Sequence, residues 1–144
     1  MTQDNKPVAH TSQTDITLDQ LGEIQPGLAR LMGEVSDRYW ILYYAARGRN
    51  WKLAILQLSE LQKALRIGII TRPKYEAHLE AFIKGPLKTM NTALEERDWQ
   101  SFEAAYMTEI TTANVYHREW DHDEIVWQLP DEPPKHLKLT PPEA

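Results

Sequence analysis

The segment "TTANVYHREWDHDE", residues 111–124, holds the side chains best suited to bind a metal ion or a cofactor. His117 and Asp121 are four residues apart, and such side chains share one face of a helix. His122 follows directly, and imidazole and carboxylate groups are ligands that zinc and iron accept. Metal sites in helical bundles, however, take ligands from several helices, with Glu-x-x-His repeated. This chain does not repeat that pattern, so we expect no metal site here, only a solvated helix end with His122 near the negative end of the helix dipole.

Aromatic side chains form a second candidate site. In "RYWILYYAAR", residues 38–47, Tyr39 and Tyr43 share one helix face, whereas Trp40 and Tyr44 lie on another. Aromatic rings on two faces exceed what one core needs, so one face either packs at the core edge or buries a partner, such as a second copy in a homodimer. The candidate pocket or interface residues are Tyr39, Trp40, Tyr43, Tyr44, Tyr106, Tyr116 and Trp120.

Other catalytic patterns are missing from the sequence. It contains no nucleophile elbow, no phosphate-binding loop and no dinucleotide-binding glycine pattern. The six glycines are scattered at expected helix ends and turns. We therefore expect no enzyme and assign no catalytic residue, with a metal-dependent enzyme as the alternative.

Composition narrows the classes of partner. A length of 144 residues suits one domain with a core. The formal net charge of −5 argues against nucleic acid, which needs clustered Lys and Arg, and gives no support for binding an anionic membrane. The absence of cysteine excludes disulfides and covalently attached haem. Since neither a leader-like apolar region nor a membrane-length apolar run occurs, we expect a cytoplasmic protein.

Hydrophobic periodicity predicts four helices that position these groups. The first begins near Pro26 and ends at "RGRN", where Gly48 is expected to take a left-handed cap. The second starts at Asn50, whose side chain can accept hydrogen bonds from first-turn amides, and ends around Gly68.

The third helix starts near Pro73 and keeps its apolar phase across Pro86. This phase favours one kinked helix, and a break at "KGP" is the alternative. The fourth helix starts at Asp98. The strings "RNW" at 49–51 and "RDW" at 97–99 mark equivalent helix starts.

Together these elements predict an all-α protein, an antiparallel up-down-up-down four-helix bundle in which no segment alternates like a strand. Residues 1–20 are polar and aperiodic, so we expect a flexible segment. Residues 21–128 form the bundle. Residues 129–144 are Pro-rich and are expected to form an extended tail.

From Pro26 to Pro130, about three-quarters of the chain, the sequence resembles the cytochrome c-prime-like four-helix proteins of bacteria. The resemblance rests on the order and spacing of these pieces: "PGLARLM", "GRNWKLAILQLSEL", "GPLKTMNTALEERDWQSFEAAY", "TTANVYH" and "IVWQLP".

The resemblance implies a haem-attachment element, C-x-x-C-H, on the last helix. Ala113 and Tyr116 stand where the two thiols would be, and the axial His corresponds to His117. The residues responsible for covalent attachment are therefore replaced.

Two functions follow from this departure. The favoured one is a haem-free bundle that binds a small apolar ligand or a protein partner, because the Tyr116 ring occupies a place where a porphyrin edge would lie. An empty porphyrin-sized void would be costly, so we expect aromatic rings to fill it or another ligand to occupy it. The alternative is a protein binding haem b non-covalently through His117 and Met32.

Overall fold

The computed structural model describes residues 6–143, which are mostly helical. In chain order the elements are β1 (Pro7–His10), β2 (Asp15–Thr17), α1 (Leu18–Glu23), α2 (Leu28–Arg47), α3 (Trp51–Thr71), a 3-10 turn (Pro73–Tyr75), α4 (Glu76–Phe82), a π-helical turn (Ile83–Leu87), α5 (Lys88–Glu95) and α6 (Trp99–Glu119). The all-α prediction is confirmed, apart from one short hairpin.

A tight turn joins α2 to α3. Asn50 donates its backbone N–H to the Ala45 carbonyl at 2.8 Å, and its side chain accepts from the Leu53 amide, as predicted for the helix start. The left-handed residue is Arg49, with φ of 63°, whereas Gly48 has φ of −79°. The prediction for Gly48 is therefore wrong by one position, because the 6→1 bond to Ala45 places Arg49 in the turn.

The start of α6 repeats this turn. Arg97 has φ of 55°, and Asp98 donates its backbone N–H to the Ala93 carbonyl at 2.9 Å. The Asp98 side chain accepts from the amide of Ser101 at 3.1 Å. The two short strings therefore encode the same backbone turn and the same helix cap.

The helical conformation is continuous from α4 to α5, as predicted, and is not broken at Pro86. Its helical conformation continues through the π-helical turn that contains Pro86. Proline has no N–H to donate and its ring crowds the preceding turn, so the local widening accommodates it without ending the helix.

The core lies between the long helices. α2 packs along α3, α5 packs on both α3 and α6, and α6 returns to α2. The contacting faces are lined by fully buried side chains, among them Leu42, Leu58, Leu61, Leu65, Leu87, Met90, Leu94, Phe102 and Tyr106. Within residues 6–143 no helix is both long and apolar enough to cross a bilayer.

The N-terminal segment contains structure that the sequence analysis did not anticipate. β1 and β2 pair as an antiparallel hairpin, and Thr17 caps α1 reciprocally with Gln20. Thr11 closes the hairpin turn, since its side chain accepts from the amide of Thr14. Regular structure therefore extends over residues 7–10 and 15–20 of the segment 1–20 that we expected to be flexible, and residues 1–5 lie outside the described part. Local side-chain bonds create this structure, and both strands are largely exposed, so no alternating pattern marks them.

The Pro-rich tail has neither helix nor strand over residues 129–143 and lies against α2. The Tyr44 hydroxyl donates to the Pro130 carbonyl at 2.7 Å, and Trp40 Nε1 donates to the Glu132 carbonyl at 2.9 Å. The aromatic face that suggested a homodimer is thus covered by the chain's own tail. A second copy is not needed to explain Trp40 and Tyr44.

Candidate functional site

A largely apolar cavity of about 830 Å³ lies between α2, α3, α4 and α6. One wall is a stripe along α2, made by Leu28, Met32, Val35 and Tyr39. The facing wall is a stripe along α6, made by Glu109, Ile110, Ala113, Tyr116, His117 and Trp120. Both stripes follow helical spacing, which is why residues far apart in sequence line one space.

A pair of tyrosines closes one end of the cavity. Tyr39 lines the cavity, and Tyr106 stacks behind it with ring centroids 4.0 Å apart. The Tyr39 hydroxyl donates to the Tyr106 carbonyl at 2.8 Å, and the Tyr106 hydroxyl donates to the Tyr39 carbonyl at 2.7 Å. Burial raises the pKa of both hydroxyls far above the usual value, so they remain neutral donors. The Tyr39–Tyr106 pair at this closed end therefore holds α2 and α6 together.

The chain after α6 folds back over the cavity and adds Trp127 to its lining. The Trp127 backbone N–H donates to Asn114 Oδ1 at 2.8 Å, and Asn114 Nδ2 donates to the Trp127 carbonyl at 3.1 Å. Trp127 Nε1 donates to Ser36 Oγ at 2.9 Å. This segment lies outside any helix, so periodicity could not have identified it as part of the site.

His117 lies in the cavity wall with one ring nitrogen engaged. Its Nδ1 is 3.0 Å from the backbone carbonyl oxygen of Ile125, and a carbonyl only accepts, so the neutral ring carries its proton on Nδ1. Burial lowers the pKa of His117. The ring is thus held neutral, with the Nε2 lone pair available.

The Tyr116 ring packs against neighbouring side chains of the cavity wall and does not fill the cavity. Its ring lies 4.6 Å from the ring of His78 and near-parallel to that of Trp120 at 5.8 Å. Met32 and Ala113, also predicted for the site, line the open space. The expectation that aromatic rings fill this volume is not met.

His78 fixes the aromatic wall in a way that the sequence did not reveal. Trp120 Nε1 donates to His78 Nδ1 at 3.0 Å, so His78 carries its proton on Nε2, which lies 2.9 Å from a Glu119 carboxylate oxygen. The His78 side chain is partly exposed. Its spacing from Trp120 along the chain offered no signal of the bond.

The remaining predicted aromatic residues lie elsewhere. Trp40, Tyr43 and Tyr44 do not line the cavity. The Tyr43 hydroxyl donates to a Glu103 carboxylate oxygen at 2.7 Å, and burial together with this bond raises the pKa of Tyr43 to about 12.

Glu109 is the principal site residue that the sequence analysis missed. Its side chain is 1% exposed, and neither carboxylate oxygen has a hydrogen-bond partner within residues 6–143. Burial raises the pKa of Glu109 to about 8. A charged residue four positions before Ala113, on the apolar stripe of α6, was the signal available.

The open end of the cavity carries basic side chains. Arg30, Arg72 and Lys74 line this rim, together with one acidic residue, Glu23. All four are exposed. The rim is thus locally positive on a chain whose net charge is −5.

The segment that suggested a metal site has a different geometry. α6 ends at Glu119, and Asp121 takes a left-handed conformation with φ of 61°, so it does not share a helix face with His117. His122 Nδ1 pairs with Glu124 at 2.9 Å. In the part of the chain that the structure describes, no three His, Asp or Glu side chains converge as metal ligands.

Comparison with known protein families, curated proteins and solved structures finds no match to this chain.

Proposed function

We propose that this protein binds a small, largely apolar ligand and performs no catalysis. The observation that carries this proposal is the apolar cavity of about 830 Å³, a size typical of sites for small molecules. A void of this size without a ligand would destabilise the fold, because its lining atoms lose packing partners.

The proposed architecture is an antiparallel up-down-up-down bundle of the cytochrome c-prime-like type, without covalent haem. Its four members are α2, α3, the kinked α4–α5 helix and α6. The short turns between successive helices support this arrangement. The position of Ala113 and Tyr116 on the cavity wall supports the assignment of these residues to the lost attachment points.

The shape and charge of the cavity describe the ligand further. Eleven residues separate Leu28 from Tyr39, which corresponds to about 16 Å of helix. An elongated ligand fits this length, and the basic rim of Arg30, Arg72 and Lys74 favours a polar or anionic group at its outer end.

Anilinonaphthalene sulfonate tests this function, since it joins an apolar aromatic body to one anionic group. We expect saturable binding with one site per chain, measured by fluorescence titration. Ala113→Phe, which fills the middle of the cavity, should weaken binding at least tenfold. Ala104→Phe places the same ring on the exposed side of α6 and should leave the affinity unchanged. Equal affinity in the two variants, or no saturable binding, would contradict the proposal.

The second candidate function is non-covalent binding of haem b for electron transfer or sensing. The bond from His117 Nδ1 to the Ile125 carbonyl favours it, because metal-binding histidines are commonly oriented in this way. His117 Nε2 and the Met32 thioether, from facing helices, are the groups that would hold the iron. The basic rim suits the carboxylates of a porphyrin.

A haemin titration separates this candidate from the first. Binding through His117 predicts a Soret band that shifts and saturates at one equivalent, and His117→Ala should abolish the shift. His122→Ala, at the rim of the same cavity, should preserve it. No saturable shift, or an unchanged spectrum in His117→Ala, would remove haem binding through this residue from consideration.

A further inference from the structure

Glu109 is a buried carboxyl group in the wall of the cavity, and it has no hydrogen-bond partner among residues 6–143. Burying such a group costs free energy unless a hydrogen bond or an opposite charge compensates for it. Buried acids without partners are therefore rare in stable proteins and are concentrated at functional sites.

Glu109 lies toward the closed end of the cavity. It is one helical turn from Tyr106, and its charge contributes, after burial and Tyr106, to the raised pKa of the Tyr39 hydroxyl. Trp120, at the other end of the same stripe, packs against Tyr75 beside the basic rim, with ring centroids 4.6 Å apart. Eleven residues, about 16 Å of helix, separate Glu109 from Trp120.

Glu109 shares its end of the cavity with aromatic rings, and the Arg and Lys side chains that line the cavity within residues 6–143 lie at the other end. Tyr39 closes this end, and the Trp127 ring stands edge-on to the Tyr39 ring with centroids 5.0 Å apart. The cations of the cavity lining, Arg30, Arg72 and Lys74, are all at the exposed rim. A carboxyl group among aromatic rings is the arrangement that proteins use to bind ammonium groups, through ion pairing and cation–π attraction.

We propose that the ligand carries a basic nitrogen at its inner end and that Glu109 receives this nitrogen. This inference rests on the proposed binding of a ligand in the cavity. It identifies the ligand as an apolar molecule with an amine, bound amine-first. The two carboxylate oxygens are covered, so the ligand reaches them after a rotation of the Glu109 side chain between staggered conformers.

Proton release accompanies this binding. Because burial raises the pKa of Glu109 to about 8, the acid is mostly protonated at pH 7, whereas an alkylamine is protonated. When the ammonium ion pairs with Glu109, the carboxyl proton passes to the buffer, so each binding event releases close to one proton.

Hexylamine and hexanol, which have the same alkyl length, test the inference. We expect hexylamine to bind at least tenfold more tightly than hexanol in calorimetric titrations at pH 7. Titrations in buffers of different ionisation enthalpy should show proton release for the amine alone. Glu109→Gln should remove both the preference and the proton release while it still binds hexanol. Glu96→Gln, an exposed change in the loop before α6, should behave like the natural chain.

The outcomes separate the two proposals. Hexanol binding without a preference for the amine, or a preference that persists in Glu109→Gln, overturns the role of Glu109 and leaves the binding cavity standing. If neither compound binds the natural chain, the proposed function fails as well. Hexanol binding to Glu109→Gln shows that the variant is folded, so loss of the preference there supports the inference.

Discussion

Glu109→Met is expected to be more stable than the natural chain by about 3 kcal/mol at pH 7, because an apolar side chain of similar length replaces a buried carboxyl that has no hydrogen-bond partner in the described part of the chain. The pKa of Glu109 lies at about 8 in the folded chain, against an ordinary value of 4.5. Between these values the unfolded chain gives up this proton and the folded chain keeps it, so the stability of the natural chain falls as pH rises. The advantage of the variant should grow from pH 4.5 to pH 8 and then level off.

Urea denaturation at pH 4.5, 7 and 9 measures this effect, with the difference in unfolding free energy plotted against pH. Glu96→Met is the control, because Glu96 is exposed and its replacement should change stability by less than about 0.5 kcal/mol at each pH. A difference between Glu109→Met and the natural chain that does not vary with pH would show that Glu109 is not held protonated by burial.

Tyr106→Ala is expected to destabilise the chain by about 4 kcal/mol. The side chain is fully buried, stacks on Tyr39 and donates a hydrogen bond to the Tyr39 carbonyl, so the change removes packing and one of two reciprocal bonds between α2 and α6. Tyr106→Phe keeps the ring and should cost about 1.5 kcal/mol, since only the hydrogen bond is lost. Guanidinium denaturation with a two-state fit gives both values.

Tyr116→Ala provides the comparison, because it removes the same side chain from the same helix at a half-buried position. We expect it to cost less than half as much as Tyr106→Ala. If Tyr106→Ala and Tyr116→Ala lose the same unfolding free energy, the Tyr39–Tyr106 pair is not the main contact that holds α2 against α6.

Helix positions were largely predictable because they depend on local patterns. The apolar stripes and the side-chain caps of Asn50 and Asp98 act within one or two turns, so the sequence displays them directly. The left-handed residue of the turn is Arg49 and not Gly48, because the geometry of the turn outweighs the intrinsic preference of glycine for this conformation. The N-terminal hairpin was missed because neither strand buries a face that would impose alternation.

The candidate site was predictable in one part only. Met32, Ala113 and His117 lie on inward helical stripes, so spacing alone brings them to one cavity. The lack of a hydrogen-bond partner for Glu109 among residues 6–143 was not predictable, because it depends on which side chains of the other helices lie beside it. Trp127 was missed for a related reason, since its bond to Ser36 joins residues 91 positions apart without any repeating pattern.

The docking of the tail has a consequence for how the chain folds. Its bonds to Tyr44 and Trp40 join positions 86 and 92 residues apart, and contacts this distant form late because long loops must close first. During synthesis Tyr44 and Trp40 are made 86 and 92 residues before the backbone carbonyls of the tail to which they donate. Trp40 and Tyr44 therefore stay uncovered until that backbone is made, and we expect a nascent chain to self-associate most readily before residues 130–132 arrive.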